Sequence, residues 1–246
     1  MRVAVITDIH ANLPALEAVL EAVDANDIEE IWCLGDVVGY GAQPDACTDI
    51  VRERCDLCLV GNHDLAVLGS LDVAAFSEAA AEAVVWTREN VAGRTLEFLR
   101  ELEPTGRRDG YGMFHASPRD PIWEYVLSTE QADACLDAQE DRIGLIGHSH
   151  VSLFFTRPAS KEGGDVRGAQ AGDGSLLDLS GGHWLVNPGS VGQPRDSDPR
   201  AAWLELDTDE QTARFHRAPY DVERAAESIV AAGLPRRLGD RLFIGQ

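Results

Sequence analysis

The chain has 246 residues, 44 % apolar and 26 % charged, the make-up of a soluble protein with a real core in one large or two small domains. Its net charge of −21, with Lys161 the single lysine, repels phosphate backbones and anionic bilayers; this argues against broad nucleic-acid binding and against docking on anionic membranes. Five cysteines at irregular spacing do not make a disulfide framework, and the one CxxC, Cys55 to Cys58, lacks the second pair of a zinc site, so packing thiols in a reducing compartment are expected.

The first ten residues, MRVAVITDIH, are already strand-like, with no leader pattern, and no apolar run approaches the ~20 residues of a membrane span. A cytoplasmic protein is expected. Val3 to Thr7 is a short β-branched run of the kind covered on both faces. Asn12 and Pro14 mark a helix start, and Leu16, Val19, Leu20 and Val23 follow at helical spacing. Ile31 to Leu34 reads as a second strand, Pro44 to Arg54 as a helix, and Leu57 to Val60 as a third strand. That β-α-β-α-β order predicts parallel pairing in an α/β sheet.

Residues 72–103 are Ala- and Glu-rich and predict one or two helices, with Phe76, Val84, Val85, Trp86, Leu96, Phe98 and Leu99 turned inward. Strands resume at Tyr111 to Phe114, Ile143 to Ile146, Leu153 to Thr156, Trp184 to Val186 and Ala202 to Leu206. The Gly-rich, polar segment 159–182 is expected to be a mobile loop or hairpin inside a single domain spanning 1–246.

The apolar strands end alike. Asp8 and His10 follow the first, Asp36 the second, and Asn62, His63 and Asp64 the third; His115 follows a later one, and His148 and His150 another. In open α/β sheets the carboxyl ends of parallel strands line one edge, where ligands bind. A turn or cap explains an Asp or Asn, but not His at four separate strand ends. In DxH and HxH the two side chains lie two residues apart, on one side of an extended backbone. Oxygen and imidazole without thiolate point to first-row divalent ions such as Mn, Fe, Co, Ni or Zn. Seven ligands exceed one tetrahedral ion and suit two ions sharing a carboxylate, a pair that clamps both oxygens of a phosphoryl substrate. On this reading Asn62 is a ligand, His63 is the proton donor, and Asp64 holds the His63 imidazole in its tautomer.

In order, the blocks DIH (8–10), GDVVGYG (35–41), GNHD (61–64), the single His115, GHSH (147–150) and NPGSVGQPRD (187–196) resemble the calcineurin-like metallophosphoesterase superfamily. SPRDPIWEY (117–125) and the GDVVGYG block resemble its small prokaryotic phosphodiesterase-type branch. The resemblance implies a four-layer α-β-β-α sandwich of two mixed sheets flanked by helices, and two divalent ions per chain, manganese first, with Fe, Zn, Ni or Co as alternatives. Asp8, His10 and His150 would hold one ion, Asn62, His115 and His148 the other, with Asp36 bridging. It further implies phosphoester hydrolysis, diesters favoured, by in-line attack of a metal-bridging hydroxide with His63 as general acid and Asp64 orienting it. Ala11 and Ala116 stand where the family more often has Gly, which makes the backbone there less free.

Arg195 and Arg119 are the basic side chains inside motif blocks and are candidate grips on a phosphate oxygen, with a local salt bridge as the alternative for each. Asn12 is a candidate substrate contact or a helix cap. The expected partner is a small phosphate ester, with no membrane or stable nucleic-acid contact and homo-oligomerisation left open. Protein Ser/Thr phosphatases and dinucleoside polyphosphate hydrolases carry the same metal blocks and remain alternatives. A non-catalytic scaffold is the reading outside enzymology, and the intact His63 and ligand set speak against it.

Overall fold

The computed structural model describes residues 1–159 and 164–246. Twelve strands and eight helices alternate along them. The first half holds β1 (Arg2–Ile6), α1 (Leu13–Asp24), β2 (Glu30–Cys33), α2 (Pro44–Arg54), β3 (Leu57–Cys58), α3 (Asn62–Val67), α4 (Glu78–Asn90), α5 (Gly93–Arg100), β4 (Thr105–Arg108) and β5 (Tyr111–Phe114). The second half holds α6 (Thr129–Ala138), β6 (Ile143–Leu145), β7 (Leu153–Arg157), β8 (Arg167–Gln170), β9 (Leu176–Asp178), β10 (His183–Asn187), β11 (Ala201–Asp207), β12 (Thr212–Ala218), α7 (Val222–Ala231) and α8 (Arg236–Asp240).

Strand alternation sorts these residues into layers. Val3 and Val5 of β1, Trp32 of β2, and Leu204 and Leu206 of β11 turn one way, to meet Met113, Leu145 and Val186 of the opposite sheet. Ala4, Ile6, Ile31 and Trp203 turn the other way, onto Leu16, Val19 and Val23 of α1 and Val51 of α2. On the second sheet, Phe155 and Leu185 face Ala132, Cys135 and Leu136 of α6. A strand covered on both faces must be apolar at successive positions, as VAVI is. The result is the four-layer α-β-β-α sandwich of two mixed sheets.

One sheet runs β3-β2-β1-β11-β12-β9 and the other β4-β5-β6-β10-β7-β8. β1, β2 and β3 are parallel neighbours, as are β5, β6 and β10. The remaining pairings are antiparallel. Each sheet therefore carries one group of parallel strands whose carboxyl ends can share an edge. Asn12 caps α1 by accepting from the Ala15 amide at 3.3 Å, and Pro14 sits in its first turn.

Residues 72–103 hold α4 and α5 after a 3-10 turn at Val73–Ala75. Val85, expected inward, is 42 % exposed, because α4 buries its Ala80, Ala83, Val84 and Thr87 face instead. The segment 159–182 contributes β8, antiparallel to β7, and β9, at the edge beside β12; its residues 160–163 lie outside the described residues. All five cysteines are free thiols. Burial first, then the Cys33 neighbour, raises the Cys55 thiol well above the usual range, so it stays protonated packing material. Among the described residues no helix is long and apolar enough to cross a membrane.

Phe215 of β12 is 2 % exposed and fills the space between the sheets with Leu177 and Leu179. Phe215→Ala should cost about 3–5 kcal/mol of unfolding free energy, read by urea denaturation. A loss below about 1 kcal/mol, within the range of ordinary surface substitutions, would mean that this layer is not a packed core.

Candidate metal centre and active site

The strand ends turn through unusual backbone. Asp8, His10, Asp36, His148 and His150 all adopt left-handed φ, between 50° and 62°. Such values cost non-glycine residues energy and persist only where the surroundings over-determine them. Here the bend folds each strand end sharply back, so that the DxH and HxH side chains turn toward one place. Ala11 shares this conformation at φ 51°, so Ala where the family more often has Gly adds strain next to a metal strand; Ala116 is not left-handed. Two glycines have no substitute. A Cβ on Gly61 would lie 2.0 Å from Asp36 Oδ1, and one on Gly39, itself at φ 91°, would lie 2.6 Å from His63 Nδ1.

All seven candidate ligands are buried. Asp8, His10 and His150 form one group with ligand atoms in mutual reach, and Asp36, His115 and His148 form another. Asp36 Oδ2 lies between them, 3.6 Å from His10 Nε2 and 3.5 Å from His115 Nε2. Asn62 Oδ1 is 3.1 Å from His115 Nε2. A third grouping, of His10, Asp36 and His63, brings His63 within the same range.

Hydrogen bonding shows what these atoms lack. Nδ1 of His10, His115 and His150 faces the carbonyl oxygens of Val38 (3.2 Å), Leu34 (2.9 Å) and Gln193 (2.7 Å). A carbonyl only accepts, so each Nδ1 donates, and in the neutral ring each Nε2 is then a bare acceptor. Yet His10 Nε2 and His150 Nε2 face each other at 3.0 Å, and His115 Nε2 faces the Asn62 side-chain oxygen. Asp8 Oδ2 accepts from the Thr7 hydroxyl and the His148 amide, both at 3.0 Å, and Asp36 Oδ1 accepts from the His63 amide at 2.8 Å. Their other oxygens, Asp8 Oδ1 and Asp36 Oδ2, have no partner among the described residues, and nor does His148 Nε2. Lone pairs aimed at one another across two points are what a pair of cations would satisfy. The donor set fits.

Burial drives the titration. It lowers His10, His63, His148 and His150 well below the usual imidazole range, which keeps the ligating neutral form. Burial, then the charges of Asp64 and Asp8, raises Asp36 well above the carboxylate range; carboxylates crowded in this way call for a cation.

One expected role is corrected, and two open alternatives fall to the local reading. Asp64 does not touch the His63 imidazole. It stands in the first turn of α3, and its carboxylate accepts from the amides of Gly61 (3.0 Å), Val38 (3.0 Å) and Val37 (3.3 Å), which ties GNHD to GDVVG. Burial pushes Asp64 up to about 6 against those bonds. His63 is instead set by packing, with Tyr40 at 4.4 Å, His10 at 4.9 Å and Phe76 at 5.0 Å between ring centroids. Arg119 does not line the cavity; it pairs with Glu124 at 3.3 Å, because the SPRDPIWEY loop braces itself. In that loop Ser117 Oγ donates to Glu124 at 2.5 Å, and Asp120 accepts from the amides of Ile122 and Trp123, both at 3.1 Å. Asn12 is also outside the cavity lining, since capping α1 and donating to the Gly192 carbonyl at 2.8 Å use both ends of its amide.

A cavity of about 380 Å³ opens over the two groups. Arg195 lines it, donating to Gln193 at 2.8 Å and to the Tyr40 hydroxyl at 3.3 Å. Trp123 and Tyr125 line it as well, with Tyr125 stacked on His148 at 4.3 Å. Arg241 also lines the cavity, a position no sequence motif marks. Sequence reasoning took Phe76 for plain core, where a helical apolar pattern gives no sign that the ring stands beside His63.

A family model described as the calcineurin-like phosphoesterase superfamily domain matches residues 1–209. An uncharacterised protein of Methanocaldococcus jannaschii is 36 % identical over 249 residues, taking in 99 % of this chain and 98 % of that one. A metallophosphoesterase from Sphaerobacter thermophilus has a similar structure, with a TM-score of 0.90 at 38 % identity over 100 % of this chain and 99 % of the other. A hypothetical protein from Pyrococcus horikoshii OT3 shares the fold at a TM-score of 0.79 and 20 % identity, over 100 % and 98 %.

If the facing lone pairs await cations, divalent metal should stabilise the chelated protein strongly. Saturation a thousandfold above Kd is worth about 4 kcal/mol, a rise in Tm on the order of 10 °C for a chain of this size. Thermal melts with a chelator and with added manganese, zinc or nickel would read it; a Tm unmoved by every ion contradicts the centre.

Proposed function

The chain belongs to the calcineurin-like phosphoesterase superfamily, and on that premise we propose that residues 1–246 act as one dinuclear, metal-dependent hydrolase of small phosphate esters, diesters before monoesters. The observation that carries this reading is the pair of acceptor-to-acceptor contacts, His10 with His150 and His115 with Asn62, on either side of Asp36.

Asp8, His10 and His150 would hold one ion, Asn62, His115 and His148 the other, and Asp36 both. When bound, the ions would supply Lewis acidity and a nucleophile from water at neutral pH. The rest falls to the chain. Arg195, lining the cavity, would grip a non-bridging phosphate oxygen through its guanidinium fork. His63 would give its proton to the leaving alkoxide or phenoxide as the phosphorus–oxygen bond breaks, while water contributes the new oxygen. Burial holds the free imidazole neutral, and the negative charge of an arriving phosphate supplies the field that restores the proton. The ring would need no carboxylate to hold it, because Tyr40, Phe76 and the bare backbone of Gly39 fix its plane.

The cavity volume sits at the low end of small-molecule pockets, roughly 300–1,000 Å³, which supports a small ester over a phosphoprotein.

His63→Ala should retain two metal equivalents by elemental analysis and lose roughly 10²–10⁴ in turnover on an alkyl diester, with a smaller loss on a nitrophenyl ester whose leaving group needs no acid. Equal losses on both esters, or none on the alkyl ester, would remove the general-acid role.

A further inference from the structure

Tyr40 occupies backbone that suits a tyrosine poorly. It lies between Gly39 and Gly41 in the GDVVGYG block, and its own φ is 56°. A bulky side chain keeps left-handed backbone only where the surroundings over-determine it. The turn runs hard against the first metal strand, since a Cβ on Gly41 would lie 2.4 Å from the His10 carbonyl oxygen. The ring is thereby wedged between two site imidazoles, with centroids 4.7 Å from His10 and 4.4 Å from His63, and is only 8 % exposed. A phenyl ring would fill that space as well. The hydroxyl needs its own reason.

That hydroxyl is half satisfied. Its oxygen accepts from Arg195 Nη2 at 3.3 Å, so its hydrogen must point elsewhere. Among the described residues nothing accepts that hydrogen. The neighbouring His63 ring does not, and its buried Nδ1 is itself without a partner. A buried phenol normally spends its hydrogen on an acceptor, and a phenol keeps that hydrogen at neutral pH. The open direction is the cavity over the metal centre, which Tyr40 lines together with Arg195 and Tyr125. Arg195 donates to Tyr40 and to Gln193, both through Nη2, which leaves Nη1 without a partner among the described residues. A guanidinium and a phenol thus stand side by side as donors on one wall, with no carboxylate between them.

We propose that Tyr40 is a further catalytic residue, whose hydroxyl donates a hydrogen bond to a non-bridging oxygen of the phosphoryl group, beside the Arg195 guanidinium. This rests on the hydrolase reading above and adds a residue to it. The phenol keeps its proton throughout and makes or breaks no bond of the substrate; His63 still supplies the proton of the leaving group. Charge in the transition state of phosphoryl transfer spreads over the three equatorial oxygens, and a donor fixed beforehand stabilises it without reorganising. The left-handed turn is what aims the hydroxyl, and the ring contacts with His10 and His63 hold it there.

Kinetics on the manganese-loaded protein with an alkyl phosphodiester, and inhibition by vanadate, test this through Tyr40→Phe, which keeps the ring and deletes only the donor. Its kcat/KM and its vanadate affinity should each fall about tenfold or more, the effect of one hydrogen bond to a charged oxygen, with manganese content unchanged. A tyrosine present only for packing would leave Tyr40→Phe silent, and unchanged kcat/KM overturns the proposal. A variant that loses manganese acts through the metal centre and overturns it too. A double-mutant cycle separates direct contact from action through Arg195. In an Arg195→Gln background Tyr40→Phe should still lower kcat/KM by about the same factor, and disappearance of that factor overturns the direct contact. Failure of the hydrolase reading shows separately, as a natural protein that retains no manganese or turns over no ester. Calorimetry with inorganic phosphate then decides: Tyr40→Phe should bind it about tenfold more weakly than the natural protein. Equal affinities, or no binding by the natural protein, overturn the role of the hydroxyl.

Discussion

Two lone pairs cannot hydrogen-bond each other, and that constraint governs the rest of this molecule. His10 and His150 present bare Nε2 atoms to one point, and His115 and Asn62 present a nitrogen and an oxygen to a second, with Asp8 Oδ1 and Asp36 Oδ2 adding negative charge beside them. Left to relax, the side chains would turn away or take up protons. Backbone carbonyls prevent the first by gripping each Nδ1, and burial opposes the second. The polypeptide holds an arrangement that is unfavourable until a cation arrives, a preorganisation that costs stability and gains affinity.

Where that stability comes from is visible in the layers. The left-handed residues at Asp8, His10, Asp36, His148 and His150 sit directly beyond strands whose both faces are buried, so the strain is anchored where the chain can least move. Asp64 belongs to this anchoring. By gathering the amides of Val37, Val38 and Gly61 it locks two motif loops into one unit, so the residue beside the candidate acid serves the backbone rather than the imidazole.

Much of this was legible in the sequence. VAVI and IWCL show double burial directly, whereas the strand expected over Leu57 to Val60 is only the half-buried pair Leu57–Cys58; the Asn12 and Pro14 signals place the first helix start, and Pro44 to Arg54 is helical as read. The candidate ligand set stands out in the sequence because DxH and HxH have no cheap structural use. What stayed hidden has a physical reason in each case. β4 (TGRR) and β8 (RGAQ) are edge strands made by hydrogen bonds to β5 and β7, and edges need no apolar signal. Adjacency could not tell which way the Asp64 carboxylate turns, since the first turn of a helix offers it amides as readily as a ring. Arg119 carries the same charge as Arg195 and lies in an equally distinctive block, but only the packed loop shows that it pairs with Glu124. Arg241 comes from the far end of the chain with no spacing to betray it.

The contrast between cavity and surface follows from one electrostatic argument. Beyond about 8 Å at physiological salt, exposed charges are largely screened, so the acidic exterior acts only on what comes close. A long polyanion lies against that exterior along its whole length and is repelled. On the proposed reading a compact anion would cross it once and reach a pocket lined by Arg195, whose guanidinium bonds only neutral side chains, in a partly dehydrated setting where the same charge acts more strongly. On the proposed reading, sign and size would be filtered by different parts of the molecule: the surface would repel extended phosphates, and the cavity would admit short ones. That division reconciles a chain at −21 with a site assembled for anions.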